Sequence, residues 1–310
     1  MKLRMVPKDV FTVMSLNGEF KYRWLGDNVL SLIGLGTSYL LEFFEYYGDT
    51  ISKYYHQFVK DTEFADDRFD FFISQERRHA AAHKKLNLFI AKNYLPPYRE
   101  KYHPRVYDFM YPTYKKCVEP IIEGIVKDQK KGLTLHSPSF KKALKSIAIF
   151  ETEVCMAAFS FFDNVMEKGK LDVMMNISDN LGVLYLLGYH YVEEIEHCHV
   201  SIETYERMYG ETLWTKEEIN NYISNSSGFN NIIIDSTLFV ARQLNVDLSI
   251  DNLNRRLPKK VNFVAPGFDA KTSNIGAKIK HLIAQWDNEW EPRILKKIRE
   301  TISINNKISQ

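Results

Sequence analysis

The segment YHYVEEIEHCHV, residues 189–200, places three histidines and three glutamates within twelve residues. Imidazoles and carboxylates at this density line a solvated helix face, shuttle protons or hold metal ions. A second segment of similar make-up, FDFFISQERRHAAAHKKLNLFI at 69–90, carries Glu76, His79 and His83. Both contain Glu-x-x-His, as Glu76–His79 and as Glu194–His197. On a helix this spacing brings the two side chains to one face, where they can reach one ion together. Two such pairs facing each other hold two ions. Each site then wants one more carboxylate from each of the other two helices of a four-helix core.

The elements that must position these residues read as helices. Helical periodicity dominates and alternating strand patterns are scarce, so the chain is expected to be all-α. Helices are predicted near 36–60, 64–94, 104–130, 137–168, 177–209 and 274–303, with another opening at Thr215. YLPPY (94–98) stops the second, Ser137 caps the fourth with Pro138 at its first position, and Gly210 closes the fifth. RRLPKKVNFVAPGFD (255–269) reads as an extended crossing loop. The organisation expected is one helical domain over 1–310, with a core bundle at about 31–210 and a C-terminal helical extension over 211–310. That extension is expected to cap a substrate cavity or to build a dimer.

Helical geometry decides which polar residues point inward. With each residue advancing about 100°, Glu194 shares a face with Val183, Leu187 and Tyr205, and His190 and His197 lie within about 60° of it. Glu196 and His199 fall on the other side and are expected to face water, with Glu193 at the boundary. Glu76 lies among Phe69, Phe72 and Ala80, with His79 and His83 on the same face. Glu151 flanks the apolar stripe of its helix, while Glu153 lands opposite and reads as solvated. In the first helix Glu45 flanks the stripe and Glu42 points away, so Glu45 is preferred to Glu42. A buried carboxylate costs several kcal/mol unless a partner neutralises it. One such helix alone would read as a hydrogen-bonded Glu–His core pair; two are harder to read that way. Glu45, Glu76, His79, Glu151, Glu194 and His197 together make the four-carboxylate, two-histidine set of a di-iron or di-manganese bundle. His190 and His83 are either a further ligand or partners that orient one, with the orienting role favoured for His83 and open to Glu193. This donor set suits iron or manganese; zinc remains possible.

Composition narrows the classes. The chain has 310 residues, 45% of them hydrophobic and 14% aromatic, enough for a sizeable core. The formal net charge is +2, with no long block of one sign, so no nucleic-acid partner is expected. No run of about 18 uncharged apolar residues suggests a membrane span. Cys117, Cys155 and Cys198 are odd in number and widely spaced, which fits a reducing compartment, and a cytoplasmic protein is expected.

FISQERRHAAAH, AIFETE, YHYVEEIEHCHVSIETYERMYG and the late FVAPGFD and HLIAQW resemble, in order and spacing over about 30–290, the bacterial family of predicted metal-dependent hydrolases. In that family the Pro-Gly-Phe loop is often followed by a histidine, where this chain has Asp269, and the first helix carries a Gly-Glu pair that this chain lacks. The site motifs also resemble those of the ferritin-like di-iron N-oxygenases of aromatic amines, whose fourth core helix carries His-x-x-x-Glu-x-x-His. That resemblance implies a ferritin-like core and makes His190 a ligand.

The function expected is a dimetal oxidoreductase, an oxygenase in which two iron ions activate O2 and oxidise a small apolar or aromatic substrate. Manganese or zinc could replace iron, the electron donor is not identified, and a homodimer is expected. The alternative is a metal-dependent hydrolase using a metal-bound hydroxide. A third reading is a non-catalytic metal-binding or storage protein.

Overall fold

The computed structural model describes residues 2–18, 20–94, 112–167, 169–225, 227–257 and 275–308. Residues 95–98 of the expected YLPPY stop, residues 104–111 of the expected third helix, and residues 258–269 of the crossing loop, with Asp269, lie outside the described residues.

Among the described residues all regular structure is helical, as periodicity predicts. In chain order the helices are α1 (Lys8–Met14), α2 (Asn28–Val59), α3 (Asp67–Tyr94), α4 (Glu119–Gln129), α5 (Pro138–Phe161) and α6 (Lys170–Ile177). They continue with α7 (Leu181–Tyr209), α8 (Lys216–Asn225), α9 (Ser227–Gln243), α10 (Ile250–Arg256), α11 (Ile275–Gln285) and α12 (Glu291–Ile308). Three wider, π-helical turns, Tyr114–Val118, Phe162–Met166 and Trp286–Trp290, lead into or out of these helices. None of the described helices is long and apolar enough to cross a membrane.

The long helices start where side-chain caps satisfy the first free backbone N–H groups. Asp27 accepts from Leu30 N at 3.0 Å, Ser137 from Phe140 N at 3.0 Å, and Asn180 from Val183 N at 3.3 Å. Ser137 with Pro138 is the expected start of α5, and Gly210 ends α7 as expected. Three boundaries differ from the sequence reading. α2 begins at Asn28 rather than near 36, because packing outweighs the low helix propensity of its glycines. A Cβ on Gly36 would lie 2.8 Å from the backbone of Thr237 in α9, so that glycine serves a close helix crossing and not a start. The segment read as the opening of the fifth helix is the separate α6, and Asn180 caps a new start. α1 was not foreseen, since two turns are too short to carry a periodic signal.

α2 packs along α3 and α5 along α7, and the pairs meet through α3 against α7 and α2 against α5. This is the expected four-helix core. α9 lies on the outside of α2, while α1, α11 and α12 lie on α7. The buried apolar residues form two clusters. One takes Leu35 and Leu41 of α2, Leu86 and Ile90 of α3, Val154 and Phe161 of α5, and Val183 and Leu187 of α7. The other takes Tyr47 and Ile51, Phe69 and Phe72, Ala143 and Ile147, and Val200 and Tyr205 of the same helices. On every core helix the candidate glutamates and histidines fall where one cluster gives way to the other. The order of the clusters along each helix also gives direction: α2 and α7 run one way, α3 and α5 the other.

Candidate metal centre

Seven buried side chains from the four core helices converge in this layer. Glu45, His79, His190 and Glu194 each bring one donor atom within 4.8 Å of the others, and so do Glu76, Glu151, Glu194 and His197. Glu194 belongs to both groups. Its Oε1 lies 3.3 Å from His79 Nδ1 and 3.2 Å from His190 Nε2, while its Oε2 lies 3.4 Å from His197 Nε2. Glu76 Oε1 stands between two imidazoles, 3.0 Å from His197 Nε2 and 3.4 Å from His79 Nδ1. Buried polar atoms are almost always hydrogen-bonded. Here both oxygens of Glu45, Oε1 of Glu76, Oε2 of Glu151 and of Glu194, His79 Nδ1, His190 Nε2 and His197 Nε2 are buried without a hydrogen-bond partner. These atoms are close enough to share an ion and are not aligned to satisfy one another. A donor set of carboxylate oxygens and imidazole nitrogens around such orphaned atoms fits bound metal.

Each imidazole is also held from behind. His79 uses Nε2 toward Glu193 Oε2 at 2.9 Å, and His197 uses Nδ1 toward Gln75 Oε1 at 3.1 Å. His190 Nδ1 lies 3.1 Å from His83 Nε2. The chain behind His83 fixes the direction of that bond. Asn87 donates its amide to Glu42 Oε2 at 2.7 Å and to Ser38 O, which leaves its Oδ1 to accept from the Ser38 hydroxyl at 2.8 Å. The Ser38 hydrogen is thereby committed, so His83 Nδ1 donates to Ser38 Oγ at 2.9 Å and His83 Nε2 accepts from His190. All three imidazoles thus place N–H on an outer partner and turn the other nitrogen inward, the arrangement that fixes a metal-ligating tautomer.

The family described as predicted metal-dependent hydrolase matches residues 14–269, most of the chain and all seven convergent residues. The chain belongs to this family. No curated protein and no solved structure matches it. Metal dependence, the family's stated property, agrees with the orphaned donor atoms; resemblance to the ferritin-like N-oxygenases finds no such support.

In this member of the family, burial and partners divide the carboxylates. Burial pushes Glu45 and Glu151 well above the usual carboxylate range. Burial pushes Glu76 upward too, but His197 and His79 outweigh it and hold it at about 2. Glu194 is also held at about 2, where His197 and His190 prevail over burial and over the Glu76 charge. Burial pulls both histidines down, yet the carboxylates raise His79 well above its ordinary value and His197 to about 9. Burial, followed by the nearby His79 charge, takes His83 down to about 3 and His190 well below its usual range. Without metal, Glu76 and Glu194 are thus stabilised as carboxylates by the His79 and His197 imidazoles, whose own protons they hold in return.

Several expectations change in the folded chain. Of the two i, i+3 pairs, Glu194 and His197 fall in one group as expected, whereas His79 joins Glu45, His190 and Glu194 while Glu76 joins Glu151, Glu194 and His197. Glu42 does not point into solvent. It is buried against Asn87, and burial pushes it up to about 7 against that hydrogen bond. Glu45, not Glu42, reaches the cluster. Glu196, expected in water, accepts from Arg4 Nη1 at 2.7 Å with its side chain only 12% exposed, and His199 is half-buried. The cause is the N-terminal segment, which covers this face of α7. Arg4 binds Asp287 as well, its backbone N–H donates to Glu193 Oε1 at 3.0 Å, and Gln75 donates to Lys2 O at 3.1 Å. Gln75 and Arg4 were missed by sequence reasoning. Gln75 had a usable signal, since it precedes Glu76 and lies within reach of the same inward face; Arg4 had none.

Proposed function

We propose that this chain is a metal-dependent hydrolase whose dimetal centre is formed by Glu45, Glu76, His79, Glu151, His190, Glu194 and His197. The observation that carries the reading is the set of three imidazoles, each held by an outer partner with its other nitrogen, buried and without a hydrogen-bond partner, turned toward the buried carboxylates. Divalent ions bound there would supply Lewis acidity and bring the pKa of a coordinated water to about 7. The chain's own residues do the rest. Glu194 offers one oxygen to each group and sets their separation, four carboxylates match the charge of two divalent ions, and two apolar clusters keep bulk water away.

One observation favours the oxidative alternative. The donor set is all oxygen and imidazole, with no thiolate, and so suits iron or manganese better than zinc. One experiment separates the two: load the metal-free protein anaerobically with Fe(II), Mn(II) or Zn(II), then follow ester and amide cleavage without oxygen and O2 uptake with it. Turnover of an ester or amide without oxygen, lost on chelation, supports the hydrolase. O2 consumption without any hydrolysis would replace it by the oxidative reading.

Proton release gives a test independent of substrate. Burial raises Glu45 and Glu151, and the carboxylates raise His79 and take His197 to about 9, so metal-free protein binds protons on these groups that must leave before the same atoms can ligate. Loading the ions should therefore release protons. Affinity should rise with pH through the range in which His197 loses its proton, near 9, because the proton and the ion compete for one lone pair. Calorimetric titration in buffers of different ionisation enthalpy counts the protons; heats that do not change with buffer would count against metal binding at these residues.

A further inference from the structure

A cavity of about 100 Å³ lies between α2, α3, α4 and α5 and reaches one side of the cluster only. Of the seven convergent residues, Glu76 and Glu151 line it. Both present a buried oxygen without a hydrogen-bond partner, Oε1 of Glu76 and Oε2 of Glu151. The walls are aromatic: Phe44 stacks on Phe150 at 4.7 Å, and Phe72 sets its edge on His197 at 5.0 Å. The exposed Cys117, in the turn leading into α4, also lines the cavity, so the hollow extends from the surface to the carboxylates. None of the described residues of the C-terminal helices lines it, whereas Cys117 and Val118 of the turn before α4 do.

Gly48 identifies what the space is for. It sits in the interior of α2, where glycine is a poor helix former, and it is buried. A buried helical glycine usually admits a close neighbour, yet a Cβ built on Gly48 meets nothing within 4 Å. The residue leaves room instead of making contact. Beside it the Tyr47 hydroxyl lies 3.1 Å from Ser146 Oγ, and Ser146 donates to Ala143 O, so Tyr47 donates to Ser146 and keeps a lone pair for a donor in the cavity.

We propose that this cavity is the substrate pocket of the metal centre, that its ligand is a small, uncharged molecule with a short apolar body, and that Gly48 sets the length of that body. The proposal rests on the metal-centre reading above. A substrate entering past α4 meets the Glu76–Glu151 side first, with its apolar part between Phe44, Phe72 and Phe150. The space accommodates about three water molecules' worth of volume, which limits the buried part to a few carbon atoms. A leucine side chain at position 48 occupies a comparable volume and would fill it.

The test uses two metal-binding probes that differ only in tail length, acetohydroxamate and butyrohydroxamate, titrated into metal-loaded wild type and Gly48→Leu. Wild type should bind butyrohydroxamate at least tenfold more tightly than acetohydroxamate. Gly48→Leu should erase that preference while retaining the metal content and circular dichroism of wild type. Equal preference in both proteins, or no binding of either probe to metal-loaded wild type, overturns the proposal. Should Gly48→Leu fail to fold, Gly48→Ala replaces it, with a smaller loss of preference and a raised unfolding midpoint expected. A parallel titration of metal-free protein with 1-butanol keeps the two readings apart. Butanol binding that Gly48→Leu abolishes, in a chain that takes up no metal, leaves the pocket standing and removes the metal centre.

Discussion

Replacing Glu194 by alanine should strip both ions from the chain, taking the metal content from about two per chain to nearly none. Every other convergent residue belongs to one group, whereas Glu194 gives Oε1 to His79 and His190 and Oε2 to the His197 side. Glu151→Ala removes an oxygen from the second group alone and should leave about one ion. Elemental mass spectrometry of protein purified without chelator reads the difference. Equal losses in the two variants would mean that Glu194 is not shared and that the layer does not hold two ions. Glu194→Gln keeps the shape of the side chain and serves if the alanine variant does not fold.

Arg4→Ala should destabilise the fold although Arg4 lies outside the metal layer. Arg4 is 4% exposed and its guanidinium faces Glu196 and Asp287, with Glu193 at 3.7 Å. These carboxylates come from α7 and from the turn before α12, so one cation joins the N-terminal segment, the core and the C-terminal helices. Removing it takes the guanidinium from three carboxylates at once, while Lys2 still pairs with Asp287 at 3.2 Å, a loss of about 3 kcal/mol, toward the low end for buried pairs because Asp287 is 22% exposed. For a chain of this size the unfolding midpoint should fall by roughly 4–6 °C. Metal uptake should weaken less, because the bond to Glu193 comes from the Arg4 backbone N–H and survives the substitution. A midpoint equal to wild type would show that the N-terminal segment merely lies on α7. Glu196→Ala, which a helical wheel makes a silent control, should lower the midpoint in the same direction, because it removes one of the acceptors of Arg4.

Much of the site was legible in the residues. Burial of a carboxylate is costly enough that Glu76, Glu151 and Glu194 on apolar stripes demand partners, and the Glu-x-x-His spacing names two of them. The same period of 3.6 placed α2, α3, α5 and α7, because each buries a long stripe that one helix cannot satisfy alone. Where that period has nothing to act on, the reading failed. Glu196 and Glu42 looked solvated because a helical wheel assumes that the face away from the stripe meets water. Arg4 covers one of them and Asn87 the other.

The sequence by itself determined the helical class, the chemistry of the donor set and the faces on which Glu76, His79, Glu151, His190, Glu194 and His197 lie, since all of these follow from residue type and angular spacing along one helix. Only the tertiary structure decided how those donors are shared. Which nitrogen of His79 meets which oxygen, why Glu76 groups with His197 of another helix, and why Glu45 reaches the cluster while Glu42 does not depend on the rotation and axial offset of four helices. Those offsets are set by packing across the bundle, where two clusters of large side chains interlock on either side of the polar layer. No spacing within a single segment contains them.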